Sequence, residues 1–163
     1  MMSNLIDTFL GRSGHICPWW CCFTFDNALR RLVQDPVKIV SGHIASGDTV
    51  LDIGPGRGYF TIPMARLVGE NGRIVAIDVQ DKMLSLLMGN ATRAGVAGRI
   101  VPKLAAPDSL GMDLRADFAL AFWMVHEVPD RGRFLKEIYD ALKPGKAFLI
   151  AEPLLHVTGK RFE

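Results

Sequence analysis

Residues 50–60 read VLDIGPGRGYF, a short apolar run that leads through three glycines into a helical pattern. Glycines between a strand and a helix let the backbone approach a ligand closely, and the helix N-terminus offers it unpaired N–H groups. Gly54, Gly56 and Gly58 are the glycines of this loop. The segment therefore predicts a ligand-binding loop at the carboxyl end of a buried strand.

Further apolar runs follow the loop, at residues 73–79, 100–105, 117–124 and 146–151. They do not alternate with polar residues, which is typical of parallel strands covered on both faces. Helical patterns lie between most of them. One covers residues 59–68; a second is expected to begin with an Asp81 cap and end at Gly95; a third is expected to begin with an Asp130 cap and end before Gly145. This order predicts a doubly wound α/β fold with a mostly parallel sheet, five strands of which are visible.

Residues 1–48 precede this pattern and are too short for a separate core. They are predicted to form a helical flap packed on the core, with short helices at 25–33 and 36–43, while residues 49–163 form the ligand-binding domain. The chain stops about where a further helix would begin. We therefore expect either that further strands belong to a longer parent or that a second copy of the chain covers the exposed sheet edge.

Charge and composition exclude several classes of partner. Nineteen Lys and Arg against seventeen Asp and Glu give a net charge of +2 with no basic run, so nucleic acid is not an expected partner. No apolar stretch approaches the ~20 residues that span a bilayer. The first residues lack the basic segment of a secretory signal, and the few, closely spaced cysteines favour a reducing compartment. We therefore predict a cytoplasmic protein.

The cysteines form one cluster near the N-terminus, where His15, Cys17, Cys21 and Cys22 lie within eight residues. The cluster lacks the two separated pairs of a zinc site, so no metal site is predicted. Two alternatives stay open at this point. The thiols bind a thiophilic substrate such as arsenite, or the segment is an apolar, aromatic flap over an acceptor pocket.

Two acidic residues indicate which ligand the loop holds. Asp78 ends the second predicted strand, twenty residues after Gly58, where a carboxylate accepts hydrogen bonds from ribose hydroxyls. The dinucleotide pattern needs its third glycine where this chain has Tyr59. Asp52 would also repel a pyrophosphate, because two like unit charges ~4 Å apart interact by about 4 kcal/mol at an effective dielectric of 20. Asp52 would instead attract an ammonium group, which favours S-adenosylmethionine over a dinucleotide.

Three segments carry a family resemblance: VLDIGPGRGYF at 50–60, IVAIDVQDKML at 74–84 and LKPGKAFLIAEP at 142–153. The chain resembles the Rossmann-like (class I) S-adenosylmethionine-dependent methyltransferase superfamily over roughly residues 37–155. The resemblance implies S-adenosylmethionine as cofactor and S-adenosylhomocysteine as product. The cofactor-binding residues expected on this basis are Asp52, Gly54, Gly56, Gly58, Asp78, Val79, Met83, Ala106 and Phe122.

The chain departs from the superfamily pattern after two strands. Ala105 and Ala106 stand where many members have Gly-Asp, so adenine would meet the backbone there, or Asp108 from a shifted position. Residues 121–124, AFWM, replace the Asn/Asp-Pro-Pro-aromatic motif of enzymes that methylate exocyclic amines of nucleic-acid bases. This replacement counts against DNA methylation.

His126 and Glu127 follow the fourth predicted strand, at the end of the sheet where open α/β folds bind ligands. They are the predicted catalytic residues, because a general base is needed where an acceptor loses a proton during methyl transfer. The alternative is that both only form the loop surface and cap the next turn. The predicted function is methyl transfer to a small-molecule acceptor. An NAD(P)-linked oxidoreductase and a non-catalytic S-adenosylmethionine-binding subunit are the alternatives.

Overall fold

The computed structural model describes residues 34–106 and 108–153. Its strands are β1 (Thr49–Ile53), β2 (Arg73–Asp78), β3 (Ile100–Leu104), β4 (Ala116–Phe122) and β5 (Leu142–Ala151). Its α-helices are α1 (Pro36–Val40), α2 (Thr61–Leu67), α3 (Asp81–Arg93) and α4 (Arg131–Ala141). Short 3₁₀ turns cover Ser41–His43, Ala97–Arg99 and Val125–Glu127.

The strands form one parallel sheet in the order β3-β2-β1-β4-β5. This arrangement confirms the predicted doubly wound α/β fold. The strand order reverses between β1 and β4, and at such a reversal the loops after the two strands diverge and leave a crevice. The glycine loop after β1 and the turn after β4 therefore border the same crevice.

Helices cover both faces of the sheet, which explains the uninterrupted apolar strands. On one face, Met64 of α2 and Leu87 of α3 pack with Phe118 of β4, and all three are fully buried. On the other face, Ile138 of α4 packs in a second cluster with Leu51 of β1. Each buried Leu, Ile or Met contributes roughly 1.5–3 kcal/mol relative to an exposed side chain.

The helix ends agree only partly with the predictions. Asp130 is the N-cap of α4, and its Oδ1 accepts the backbone N–H of Arg133 at 2.9 Å, as predicted. The expected capping role of Asp81 is wrong, because Gln80 occupies the N-cap of α3 and Asp81 lies in the first turn. An acid in the first turn interacts favourably with the helix dipole, so Asp81 still marks the start of α3, one residue after the N-cap.

Two strand boundaries also differ from the predictions. β4 ends at Phe122, not at residue 124, because Trp123 adopts a left-handed φ of 61° that no strand continues. β5 begins at Leu142, four residues earlier than predicted, and contains Gly145, which was expected to follow the end of α4. The pairing of β5 with β4 is irregular there, and the extra residues form a bulge in which Gly145 has a φ of 75°.

The region before the sheet is described from residue 34 onward. α1 and the 3₁₀ turn after it confirm the helix predicted at 36–43, and Val40 is fully buried in the core. The helix predicted at 25–33 and the cluster of Cys17, Cys21 and Cys22 lie outside the described residues. The division into a flap of residues 1–48 and a domain of residues 49–163 stays a prediction. No helix within the described ranges is long and apolar enough to cross a lipid bilayer.

Candidate functional site

The glycine loop joins β1 to α2 at the carboxyl end of the sheet. Gly54, Gly56 and Gly58 all have left-handed backbones, with φ of 69°, 55° and 98°. Residues with a side chain disfavour this region, so the loop requires glycine at each of the three positions. The N–H of Gly54 donates to the carbonyl of Ile77 at 2.9 Å, and Asn90 Nδ2 donates to the carbonyl of Arg57 at 2.8 Å. The loop is thus held by β2 and α3 before any ligand binds.

The three glycines differ in what surrounds them. A Cβ on Gly58 would lie 2.7 Å from Leu87 Cδ1, and one on Gly54 would lie 2.9 Å from Met124 Cγ. These two glycines therefore make room for neighbouring side chains. A Cβ on Gly56 would meet only Met83 Cε, at 3.9 Å. Gly56 is the loop position at which the backbone leaves space that a ligand can fill.

Asp52 lies beneath the loop at the end of β1 and is only 2% exposed. Thr61 Oγ1, in the first turn of α2, donates to Asp52 Oδ2 at 2.5 Å. Burial raises the pKa of Asp52 from 3.8 to about 7; the Thr61 hydrogen bond lowers it, and the charge of Asp78 raises it. The carboxylate is therefore costly to ionise in the protein alone, and a cation beside it would relieve that cost.

Asp78 ends β2, the strand next to β1. Its Oδ1 accepts the backbone N–H of Gln80 at 2.9 Å. Partial burial raises the pKa of Asp78, while hydrogen bonds from the N–H groups of Gln80 and Val79 lower it. The turn after β2 thus orients this carboxylate at the carboxyl end of the sheet, and its predicted hydrogen bonds to a ribose stay a prediction.

The residues expected around adenine lie at the ends of β2 and β3 and in α3. Val79 is 37% exposed just after β2, and Met83 is buried in the first turn of α3 with its Cε close to Gly56. Ala106 is exposed just after β3 and pairs with Ser109 in an isolated bridge. Asp108 forms a salt bridge at 3.5 Å with Arg133 of α4. Both side chains of this pair are largely exposed, so the ion pair holds Asp108 only weakly, and the adenine contacts at Ala106 or Asp108 stay predictions.

Aromatic side chains from the start of α2 and the end of β4 pack on one another. The ring centroids of Phe60, after the glycine loop, and Phe122, at the end of β4, are 4.4 Å apart, and those of Phe122 and Trp123 are 5.4 Å apart. Trp123 is the only non-glycine residue within 34–106 and 108–153 with a positive φ. Such strain costs of order 1–3 kcal/mol and is concentrated at functional sites.

The predicted catalytic pair lies in the 3₁₀ turn after β4. His126 Nδ1 is 2.6 Å from Glu152 Oε2, and its Nε2 is 3.9 Å from Glu127 Oε1. The backbone N–H of His126 donates to Glu152 Oε1 at 3.2 Å. The turn therefore has a second acid, Glu152, beside His126 in addition to its chain neighbour Glu127, and the catalytic roles of His126 and Glu127 stay a prediction.

Sequence reasoning missed Thr61 and Glu152. Glu152 follows β5 immediately, and an acid at the carboxyl end of a strand is the signal that identified Asp78. Thr61 carries no such signal, because its hydrogen bond to Asp52 depends on how α2 leaves the loop. Within the described ranges, no group of three His, Cys, Asp or Glu is arranged to hold a metal ion.

A separate cleft of about 430 Å³ lies between the loop before β4 and α4, lined by residues that include Ser109, Arg115, Glu137 and Asp140. Glu137 accepts the backbone N–H of Leu110 at 2.7 Å there. The cleft contains none of the predicted site residues, and its polar groups serve to hold the 109–115 loop on α4. The glycine loop therefore stays the candidate functional site.

Known proteins resemble this chain in sequence and in fold. The ubiquinone/menaquinone biosynthesis C-methyltransferase UbiE of Klebsiella pneumoniae subsp. pneumoniae is 30% identical over 124 residues, which are 74% of this chain and 49% of that protein. The chain thus spans about half the length of the curated relatives it matches.

Two crystal structures show the same architecture. A SAM-dependent methyltransferase from Aquifex aeolicus superposes with a TM-score of 0.74 at 25% identity, covering 83% of this chain and 72% of that one. A SAM-dependent O-methyltransferase from Thermotoga maritima superposes with a TM-score of 0.62 at 26% identity, covering 71% and 42%.

A family model described as a methyltransferase domain matches residues 44–160, which include the glycine loop, Asp78 and the His126 turn. This match does not support the alternative of an NAD(P)-linked oxidoreductase. The chain belongs to the methyltransferase domain family, within the S-adenosylmethionine-dependent methyltransferases of Rossmann-like class I fold.

Proposed function

We propose that this protein is an S-adenosylmethionine-dependent methyltransferase that transfers the methyl group in line to a small-molecule acceptor. The observation that carries the proposal is a pair of acids at the carboxyl ends of neighbouring strands, Asp52 of β1 and Asp78 of β2, next to a glycine loop that leaves space at Gly56. Asp52 disfavours a pyrophosphate and favours an ammonium group, and Asp78 favours ribose hydroxyls.

The residues present fit the cofactor. Gly56 leaves space above the loop that a Cβ would occupy, and this space suits the methionine half of the ligand. Asp52 is a buried acid whose raised pKa an α-ammonium group would bring down again. Asp78 is oriented to accept hydrogen bonds from ribose, and Val79, Met83, Ala106 and the Phe122 ring are the groups proposed to border adenine and the methyl group.

When bound, S-adenosylmethionine supplies a methyl carbon that its sulfonium already activates, and it leaves as S-adenosylhomocysteine. The chain's own residues then have to position two reactants and exclude water. Positioning of this kind contributes ~7–11 kcal/mol to lowering a barrier. Phe122 and Trp123, whose ring centroids are 5.4 Å apart, are proposed to form an apolar wall for that task, backed by the buried ring of Phe60. His126 with Glu127 is proposed to take a proton from acceptors that must lose one.

The first experiment tests the cofactor by thermal shift. A ligand at one hundred times its dissociation constant adds ~2.7 kcal/mol to the free energy of unfolding. We expect S-adenosylhomocysteine to stabilise the protein and NAD to leave it unchanged. Stabilisation by NAD alone would refute the proposal.

A matched pair of glycine variants locates the site in the same assay. Gly56→Ala and Gly95→Ala both place a side chain on a left-handed residue, with φ of 55° and 70°, and neither meets a protein atom closer than 3.9 Å. Without ligand, both variants should therefore show a similar decrease in thermal midpoint relative to the wild type. Only Gly56→Ala should also lose the ligand-induced shift; an equal ligand response in the two variants would remove Gly56 from the site.

A non-catalytic cofactor-binding subunit is the second candidate, because the glycine loop, Asp52 and Asp78 would bind the cofactor without any methyl acceptor. Labelled methyl transfer to a panel of thiol, amine, phenol, carbon-acid and arsenite acceptors separates the two functions. Transfer to any one of them supports the enzyme. Tight binding of S-adenosylhomocysteine with no transfer across the panel would favour the subunit.

We also infer a cytoplasmic location and an acceptor other than nucleic acid. The net charge of +2 without a basic run supports the second inference. A gel-shift titration with DNA and RNA at physiological salt should show no retardation at micromolar protein concentration.

Self-association through a sheet edge is a further proposal, supported by β3 and β5 each pairing on one side only among the described strands. Analytical ultracentrifugation tests it.

A further inference from the structure

Glu152 has no role in the catalytic scheme outlined above, yet it is one of the best-held acids of the site. It follows β5 directly, and its side chain is only 4% exposed. Both of its oxygens engage one residue: Oε1 accepts the His126 backbone N–H at 3.2 Å, and Oε2 is 2.6 Å from His126 Nδ1. A buried carboxylate bonded twice to one histidine fixes both the backbone and the ring of that histidine.

The chemistry of the two groups decides where the imidazole proton lies. An ionised carboxylate only accepts hydrogen bonds, so the short contact places the proton of a neutral imidazole on Nδ1. The lone pair then belongs to Nε2, the nitrogen that lies 3.9 Å from Glu127 Oε1. This tautomer offers Nε2 as a proton acceptor.

The turn that carries His126 is held against the cofactor loop. The backbone N–H of Trp123 donates to the carbonyl of Ala151 at 2.7 Å, and this bond joins the ends of β4 and β5. The side chain of Met124 packs on Gly54. The strained φ of Trp123 lies three residues before His126. The turn that carries the carboxylate–imidazole pair thus lies next to the glycine loop.

We propose that Glu152 is a positioning residue, which holds His126 in the Nδ1–H tautomer and so presents Nε2 as the base for the methyl acceptor. This inference rests on the proposed function. In the step, Nε2 accepts the acceptor's proton while the acceptor's electron pair forms the new bond to the methyl carbon, and the electron pair of the broken carbon–sulfur bond stays on sulfur. The products are the methylated acceptor, S-adenosylhomocysteine and a His126 imidazolium, which the Glu152 carboxylate stabilises until solvent takes the proton.

The first test reads the tautomer directly, by long-range ¹H–¹⁵N correlation on the full chain without ligands at a pH where the ring is neutral. The chain has four histidines, and the spectrum of a His126→Asn variant identifies the His126 signals. The wild type should show the Nδ1–H form. Glu152→Gln should show a mixture, because an amide both donates and accepts. Glu127→Gln is the matched control and should keep the Nδ1–H form.

An Nε2–H form or a mixture in the wild type would overturn the inference, whether or not the Glu152 and Glu127 variants fold. An unchanged tautomer in folded Glu152→Gln would overturn it equally. Circular dichroism of each variant establishes that it is folded.

The second test measures methyl-transfer kinetics with an acceptor from the panel above that the wild-type protein methylates. Replacing the carboxylate that orients a catalytic histidine by its amide costs up to ~10⁴-fold in kcat. We expect Glu152→Gln to lower kcat at least tenfold and to leave the KM for S-adenosylmethionine unchanged. A loss of cofactor affinity with unchanged kcat would make Glu152 a structural residue and overturn the inference. Failure of the wild type with every acceptor would count against the proposed function alone, because the tautomer measurement requires neither acceptor nor cofactor.

Discussion

Replacing Asp52 with Asn is expected to stabilise the free protein at alkaline pH while it weakens cofactor binding. The carboxyl group is buried under the glycine loop, and burial raises its pKa from 3.8 to about 7. Between these two values the folded protein binds a proton that the unfolded chain has lost. The folded state therefore loses stability as the pH rises from about 4 through 7, which is the opposite of the usual behaviour of an acid held by a positive partner.

The size of the effect follows from the two pKa values. One pKa unit corresponds to ~1.4 kcal/mol, so the full shift corresponds to roughly 4 kcal/mol, of which about 2.5 kcal/mol falls between pH 5 and pH 8. Asn has the shape of Asp without the charge. The free energy of unfolding of Asp52→Asn, relative to wild type, should therefore rise by about 2.5 kcal/mol between pH 5 and pH 8.

Urea unfolding at the two pH values measures this double difference. With an m-value of ~1–3 kcal/mol/M, it corresponds to roughly 1–2.5 M in the urea midpoint. Asp113→Asn, which changes an exposed loop acid, is the control and should show no such pH dependence. Calorimetry with S-adenosylhomocysteine should show weaker binding by Asp52→Asn at both pH values. Parallel pH profiles of wild type and Asp52→Asn would refute the buried-acid reasoning, and unchanged ligand affinity would refute the ammonium contact.

Three further predictions concern the residues around the site and the sheet. Asp78→Ala should lower the affinity for S-adenosylhomocysteine without unfolding the chain; calorimetry beside circular dichroism checks this, and unchanged affinity would mean that Asp78 does not hold the ribose. Asp117→Asn should cost about 1 kcal/mol of stability at pH 7, since Asp117 accepts from the Thr49 N–H at 3.1 Å and from Lys143 Nζ at 2.8 Å. The Lys143 and Thr49 bonds lower the pKa of Asp117 although burial opposes them, so this cost should vanish as the pH falls below 4; a cost that persists in acid would contradict the ion pair. Gly58→Ala should lower the unfolding free energy of the ligand-free protein by roughly 1–3 kcal/mol, because its Cβ would approach Leu87 at a φ of 98°. A thermal midpoint equal to wild type would show that α3 can move away.

The sequence predicted the parts of this protein that local chemistry decides. β1 and its glycine loop were readable because an apolar run, three glycines and a helix start all lie within about a dozen residues. The parallel sheet followed from strands that are apolar on both faces, and the Asp130 cap followed from one side chain reaching a backbone N–H three residues away. In each of these cases the interacting groups are close together along the chain.

Tertiary structure alone decided the contacts between distant segments. The β5 start at Leu142 depends on a bulge in its pairing with β4, although Pro144 and Gly145 look locally like a helix end. The bond from Thr61 to Asp52 and the bonds between His126 and Glu152 join residues that come together only when α2, β4 and β5 are placed. The raised pKa of Asp52 likewise depends on tertiary structure. It arises from burial, and only the packed fold keeps water away from the carboxyl group.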